Sequence, residues 1–83
     1  MYTLKDFERD CISLECEEVV SYVIDDTHIL TAIGYEDCIN IELNLGSVVD
    51  GVCILDELLE NCCVDREDES EIPWAIDYLK NCI

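Results

Sequence analysis

The clearest pattern along the chain is a strict alternation of apolar and polar residues between Cys38 and Leu45. The apolar members are Ile39, Ile41, Leu43 and Leu45, and the polar members are Asn40, Glu42 and Asn44. Successive side chains of a β-strand point to opposite faces of a sheet, so this period of two predicts a strand with one buried and one solvated face.

Three other stretches have the composition or the pattern of strands. Residues 19–24 and 28–33 are rich in β-branched and aliphatic side chains, and the second run ends at Gly34. The polar residues around Asp25 and Asp26 can hydrogen-bond to their own backbone, which favours a hairpin connection. Residues 12–17 also alternate, which predicts a strand. The alternative there is a helix over residues 14–24, with Cys16, Val19, Val20 and Val23 on one face.

Helical spacing predicts three helices. The first covers residues 4–11, where Thr3 begins a capping box and Leu4, Phe7 and Cys11 form a stripe. The second follows a capping-box-like segment at residues 47–50 and ends near Cys63. Its apolar stripe is Val52, Leu55, Leu58, Leu59 and Cys62, with Asp56, Glu57, Glu60 and Asn61 on the opposite side.

The third predicted helix closes the chain. Ser70 is in position to cap it, and Pro73 fits its first turn, where no intrahelical donor is needed. Its predicted buried stripe is Ile72, Ala75, Ile76, Leu79 and Ile83, and Lys80 suits the negative end of the helix dipole.

The predicted fold is one α+β domain over residues 1–83. A small antiparallel sheet of three to four strands carries a short N-terminal helix and two C-terminal amphipathic helices on one face.

Composition adds an extreme net charge to this picture. The 83 residues contain 21 Asp and Glu but only 4 Lys and Arg, which gives a net charge of −17. Nucleic acids and anionic membranes are recognised by clustered Lys and Arg, so both are excluded as direct partners. Hydrophobic residues make up 51% of the chain, which argues against a disordered tail. No leader-like or membrane-spanning segment is visible, so we expect a cytosolic protein of a bacterium or of a phage-infected cell.

The charge is unevenly distributed. Between Arg9 and Arg66 no Lys or Arg occurs, and 14 acids lie in those 56 residues. They are Asp10, Glu15, Glu17, Glu18, Asp25, Asp26, Glu36, Asp37, Glu42, Asp50, Asp56, Glu57, Glu60 and Asp65. Solubility alone needs a net charge of only about 2 to 8. The excess therefore predicts a recognition surface for a basic protein, with a solvated acidic shell as the alternative.

Carboxylates two residues apart on a strand are about 6.6 Å apart, and a nucleic-acid strand has one phosphate per about 3.4 Å of helix axis. Rows of acids can therefore occupy a groove that normally holds phosphates, as in small acidic nucleic-acid mimics of the phage anti-restriction and anti-CRISPR type. The predicted contact residues are Asp25, Asp26, Glu36, Asp37, Glu42, Asp56, Glu57, Glu60, Glu67, Asp68 and Glu69. The expected partner is a basic nucleic-acid-binding protein or nuclease complex.

Two other functions fit the same composition. An immunity or antitoxin protein would neutralise a basic toxin without copying nucleic-acid geometry. An adaptor would instead meet its partner at the aromatic pair Trp74 and Tyr78, one turn apart on the last predicted helix, since Trp and Tyr dominate many interfaces. Tyr35, on a predicted loop, is a second aromatic candidate.

Candidate chemistry is sparse. His28, the only histidine, would need a carboxylate such as Asp26 to form an acid–base pair, and no nucleophile turn accompanies it, so we expect no enzyme and no cofactor. Residues 65–71 resemble a calcium loop only in acidity, because the sixth and twelfth positions are Ser70 and Ile76. The seven cysteines lack a zinc-knuckle spacing, and we expect buried reduced thiols, with a disulfide or metal site as alternatives.

Overall fold

The fold is a four-stranded antiparallel sheet with one helix from each end of the chain. The computed structural model describes all 83 residues. In chain order the elements are α1 (Leu4–Ile12), β1 (Val19–Val23), β2 (His28–Gly34), β3 (Cys38–Val49), β4 (Val52–Asp65), a 3₁₀ helix (Arg66–Glu71) and α2 (Ile72–Lys80). The strand order is β1-β2-β3-β4. The predicted antiparallel α+β class is confirmed, but one α-helix follows the sheet where two were predicted. Neither α-helix is long and apolar enough to cross a membrane.

Both helices cover the same face of the sheet, here called the inner face. Leu30 on β2 pairs with Leu43 on β3, and Ala32 pairs with Ile41, so the alternation in β3 does produce one buried face. Helix α1 packs Phe7 and Cys11 against this face. The core consists of Phe7, Cys11, Leu14, Leu30, Ala32, Ile39, Ile41, Leu43, Val64, Ile72, Ala75, Ile76 and Leu79.

The predicted helix over residues 52–63 is wrong, because this segment is strand β4. Asp50 and Gly51 both have positive φ, 53° and 78°, which is the geometry of a tight hairpin turn and brings Val52 opposite Val49. The predicted capping box at residues 47–50 is therefore the end of β3 instead.

Irregular pairing explains why β4 has helical spacing. Its register with β3 shifts twice, between Leu43 and Asn44 and between Leu45 and Gly46. Each shift leaves one extra residue on β4, namely Leu59 and Asp56. Side chains on one face of a regular strand are two residues apart, and an inserted residue makes that spacing three. Leu55 and Leu58 therefore lie on the same face of β4.

Three smaller predictions around the helices are also wrong. Residues 12–17 form neither the predicted strand nor the alternative helix, because Ile12 ends α1 and Glu17 adopts a positive φ of 70°. Ser70 lies inside the 3₁₀ helix, and the residue that caps α2 is Glu71, which makes no side-chain capping bond. Ile83 lies beyond the end of α2 and is 54% exposed. The positions of the Thr3 capping box, Pro73 and Lys80 are confirmed.

The long β3–β4 hairpin extends past the end of β2. His28 pairs with Leu45, and the amide of Gly46 donates to the carbonyl of Thr27 at 2.9 Å; apart from that bond, residues 46–56 of β3 and β4 pair only with each other. We call this two-stranded segment the arm. Gly46 lies at its base, where a β-carbon would contact the Ile29 side chain and overlap the carbonyl oxygen of Ile54. Glycine at this position therefore lets the two strands approach each other closely.

Candidate functional site

Ten exposed carboxylates gather at one end of the sheet. This end is formed by the loop before β1, the turn between β2 and β3, and the end of β4 with the 3₁₀ helix that follows it. We call it the acidic end; its members are Glu15, Glu17, Glu18, Glu36, Asp37, Asp65, Glu67, Asp68, Glu69 and Glu71. All ten side chains are exposed. Nearly half of the 21 acids in the chain thus lie in three adjoining segments.

Backbone hydrogen bonds hold these three segments together. The amide of Glu17 donates to the carbonyl of Gly34 at 2.8 Å, and the amide of Gly34 donates to the carbonyl of Glu18 at 2.9 Å. The amide of Arg66 donates to the carbonyl of Asp37 at 3.1 Å. The acidic end is therefore built on fixed backbone, and its carboxylates do not depend on one another for their positions.

Arg66 is the only base at the acidic end, and its guanidinium binds carbonyl groups. Nε and Nη2 donate to the carbonyl of Tyr35 at 2.8 and 2.6 Å, and Nη1 donates to the carbonyl of Leu14 at 2.6 Å. None of the ten carboxylates forms an ion pair; the Lys and Arg ion pairs of the protein join Arg9 to Asp6 and Asp10. Arg66 therefore offsets only one of the ten negative charges, and none of the carboxylates is directly paired with it.

A second, smaller group of acids lies at the opposite end of the sheet. Asp25 and Asp26 occupy the turn between β1 and β2, and Asp56 and Glu57 lie on β4 nearby. An open groove of about 610 Å³ is lined by Thr27, Leu45, Gly46, Asp56 and Glu57. A second groove, of about 320 Å³, is lined by Val23, Asp25, Asp26, Ile29, Ser47 and Val48. Both depressions of the surface therefore have carboxylates in their walls.

The predicted contact residues are consequently divided between two ends. Glu36, Asp37, Glu67, Asp68 and Glu69 belong to the acidic end, whereas Asp25, Asp26, Asp56 and Glu57 belong to the opposite end. Glu42 lies between them on the outer face of β3, where Asn40 donates a hydrogen bond to its carboxylate at 3.0 Å. Glu60 is on the inner side of β4 and accepts a hydrogen bond of 3.4 Å from the hydroxyl of Tyr78. The helical row predicted for Asp56, Glu57 and Glu60 does not exist, since β4 is extended.

Sequence reasoning missed five members of the acidic end: Glu15, Glu17, Glu18, Asp65 and Glu71. Glu15 and Glu17 lie in the segment 12–17 that is predicted as a strand, and Glu18 follows it; nothing in the local sequence indicates that this segment folds back against Gly34. The signal that was present is Arg66, the single base in an acidic segment, which suggests a structural use for its guanidinium.

His28 is part of the β1–β2 turn. Its ring Nδ1 lies 2.9 Å from Oδ1 of Asp25, not of the predicted Asp26. The same Asp25 oxygen accepts hydrogen bonds from the backbone amides of Thr27 and His28 at 2.8 and 2.9 Å. The Asp25 carboxylate therefore closes the turn, with the histidine ring as one of its partners.

This turn gives a pH-dependent prediction. Hydrogen bonds from the amide of Thr27 and the ring of His28 lower the pKa of Asp25 from 3.8 to about 2. Because the pKa is lower in the folded state, the stabilisation is fully present above pH 3.8 and is lost as the pH falls towards 2. We expect a ¹³C carboxyl titration by NMR to give a midpoint near 2. In His28→Ala the midpoint should rise only part of the way, since the Thr27 amide remains; a wild-type midpoint at 3.8 would contradict this assignment.

The cysteines are all free thiols, and only Cys11 is fully buried. The prediction of buried thiols is therefore wrong for most of them: Cys16, Cys63 and Cys82 are exposed, and Cys38, Cys53 and Cys62 are half-buried. Burial raises the pKa of the Cys11 thiol to about 12. A hydrogen bond with Cys38 raises the pKa of Cys63 to about 11. No group of three or more His, Cys, Asp or Glu side chains is arranged to hold a metal ion.

Comparison of the chain with family models, with curated proteins and with solved structures finds no match.

Proposed function

We propose that this protein is a small inhibitor that binds the basic nucleic-acid-binding groove of another protein, with the acidic end as its main contact surface. The observation that carries this proposal is the use of Arg66. Ten carboxylates meet at one end, and the only base among them is hydrogen-bonded to the carbonyls of Leu14 and Tyr35. A basic groove would supply the counter-charge that this surface lacks.

Rigidity supports a recognition role for this surface. The loops that carry the acids are joined by backbone hydrogen bonds, so little conformational freedom is lost when the carboxylates meet a partner. Concentrated charge also accelerates encounter with an oppositely charged protein and selects against acidic ones. A merely solvated shell would need neither the fixed backbone nor the segregation of acids from bases.

The test is displacement of nucleic-acid-binding proteins from immobilised DNA. Proteins from a bacterial lysate are loaded on DNA-cellulose and eluted with the purified protein, and the eluted species are identified by mass spectrometry. A target that elutes is then purified, and its affinity for this protein is measured as a function of salt. We expect selective elution and an affinity that falls steeply between low and high salt.

Matched variants locate the surface. The first carries five isosteric changes at the acidic end, Glu36→Gln, Asp37→Asn, Glu67→Gln, Asp68→Asn and Glu69→Gln. The control removes the same charge away from the acidic end and from the edge of β4, with Glu8→Gln, Asp26→Asn, Glu42→Gln, Asp50→Asn and Asp77→Asn. We expect the first variant to bind the target about 100-fold more weakly, because it loses direct charge pairs with the target. The control should lose much less affinity, because it weakens only the long-range attraction. Equal losses, or a target that binds DNA and this protein together, would refute the proposal.

A further inference from the structure

The free edge of β4 is an unprotected pairing surface. β4 is the last strand of the sheet and pairs only with β3. An edge strand presents unpaired backbone amides and carbonyls along its free side, and proteins usually block such edges with lysine, proline or a covering segment. The 14 residues Val52–Asp65 contain neither lysine nor proline. Two bulges and four carboxylates, Asp56, Glu57, Glu60 and Asp65, are the only features that discourage pairing.

The side chains of β4 are unusually apolar for an exposed strand. Five large hydrophobic residues of β4 are between 41% and 61% exposed: Val52, Ile54, Leu55, Leu58 and Leu59. The register places these residues, with Val48 and Val49 of β3, on both faces of the β3–β4 hairpin: Leu55, Leu58 and Val48 lie on the outer face, and Val52, Ile54 and Val49 lie on the inner side. Apolar residues left exposed together on one strand are typical of a binding site.

An aromatic stack lies beside this edge. The rings of Trp74 and Tyr78 on α2 are stacked with centroids 5.7 Å apart and an interplanar angle of 13°. Trp74 is 66% exposed. The hydroxyl of Tyr78 donates to the carboxylate of Glu60 on β4, so the stack and the carboxylate are neighbours. A guanidinium can stack on an aromatic face and donate to a carboxylate at the same time, which makes this arrangement suitable for arginine.

We propose that the edge of β4 binds an extended basic segment of the partner as an additional strand, with an arginine of that segment between Glu60 and the Trp74–Tyr78 stack. Apolar side chains of the added strand would cover Leu55 and Leu58, and its bases would meet Asp56 and Glu57. The proposal rests on the proposed function in one respect, that the partner is basic. It adds the mode of binding, which is β-strand addition.

The charge of the edge argues against a second copy of this chain as the added strand. Pairing β4 with β4 of another molecule would bring Asp56, Glu57 and Glu60 of both copies to one seam, between two proteins that each carry a net charge of −17. Like charges that face each other across strands are destabilising. A basic segment has the opposite effect at the same three positions.

The probe is a synthetic ten-residue peptide of alternating arginine and valine, with both ends blocked. Trp74 is the only tryptophan, so its fluorescence reports binding at the stack directly. A peptide of the same charge with a central proline cannot pair as a continuous strand, and a lysine–valine peptide lacks the planar guanidinium. We expect the proline peptide to bind about tenfold more weakly and the lysine peptide several-fold more weakly than the arginine peptide.

The free edge of β1 serves as an internal control. On addition of the arginine peptide, we expect backbone amide shifts in NMR spectra to concentrate in β4 and to spare β1. By calorimetry, Trp74→Leu and Glu60→Gln should weaken binding about fivefold or more, whereas Tyr35→Leu, an exposed aromatic at the acidic end, should not. Trp74 and Tyr35 are both exposed, so neither change should disturb the core, which circular dichroism will verify.

Three results would overturn the inference. They are equal affinity for the arginine and proline peptides, shifts confined to β1 or the acidic end, and a dimer in sedimentation equilibrium whose β4 amides are protected from exchange. The first two would leave the proposed function intact, because they would show binding by charge alone. Conversely, peptide binding at β4 together with failed displacement from DNA-cellulose would refute the proposed function and leave the edge site standing.

Discussion

Arg66→Met is expected to lower the free energy of unfolding by about 3 kcal/mol, because hydrogen bonds from a charged donor contribute about 1.5 to 3 kcal/mol each and the carbonyl of Leu14 is left without its donor. The guanidinium joins the segment before β1 to the β2–β3 turn, so both should loosen when it is removed. Urea denaturation followed by far-UV circular dichroism measures the effect.

Two variants separate charge from hydrogen bonding. Arg66→Lys keeps the positive charge among ten carboxylates but loses the planar fork, and we expect it to recover less than half of the loss. Arg9→Met removes two surface ion pairs, and it should cost much less than Arg66→Met because the Arg9 side chain is 68% exposed and its ion pairs are screened by solvent. Similar losses for Arg9→Met and Arg66→Met would show that Arg66 acts only as a charge.

Gly34→Ala is expected to destabilise the fold by about 2–3 kcal/mol, the usual cost of inserting a methyl group where there is no space. A β-carbon at this position would overlap the carbonyl oxygen of Glu15 and lie 3.0 Å from the carbonyl carbon. These are backbone atoms, so the loop before β1 would have to move and its hydrogen bonds with Gly34 would break. Denaturant titration gives the stability, and amide exchange of Glu17 shows whether the loop has opened.

Gly51→Ala is the matched control. A β-carbon there meets nothing within 4 Å, and only its positive φ of 78° opposes the substitution. We expect a cost of about 1–2 kcal/mol from backbone strain alone, with no change in the exchange of Glu17. If the exchange of Glu17 is as slow in Gly34→Ala as in the wild type, the close contact between this loop and β2 is not rigid.

The elements that could be predicted are those whose signal is local. Strand β3 alternates over eight residues because one of its faces is covered by helices and the other is not, and α1 begins at Thr3 with a capping box that a short sequence pattern describes completely. The prediction of a helix at β4 was wrong for a physical reason. Its bulges at Asp56 and Leu59 give an edge strand the spacing of a helix, and tertiary pairing with β3 decides between the two. The Asp50–Gly51 pair between valines was the available hairpin signal.

The candidate site was predictable only in part. The turn acids Asp25, Asp26, Glu36 and Asp37 were found because turns carry short polar residues at the surface. The local sequence did not show that these acids lie at two opposite ends of the sheet, because that division follows from the up-and-down order of the strands. The charge total also gave no indication that Arg66 would be hydrogen-bonded to carbonyls, which leaves the neighbouring acids unpaired.

The order of the strands has a consequence for folding during synthesis. Each strand pairs with its neighbour in sequence, so the sheet can form from successive hairpins without a crossover connection. Its inner face, however, is covered by one helix that precedes the strands and one that follows them, and the core residues Ile72, Ala75, Ile76 and Leu79 of α2 are made after the whole sheet. A nascent chain on the ribosome therefore keeps part of that face uncovered until α2 has emerged, and chaperone binding should end at that point.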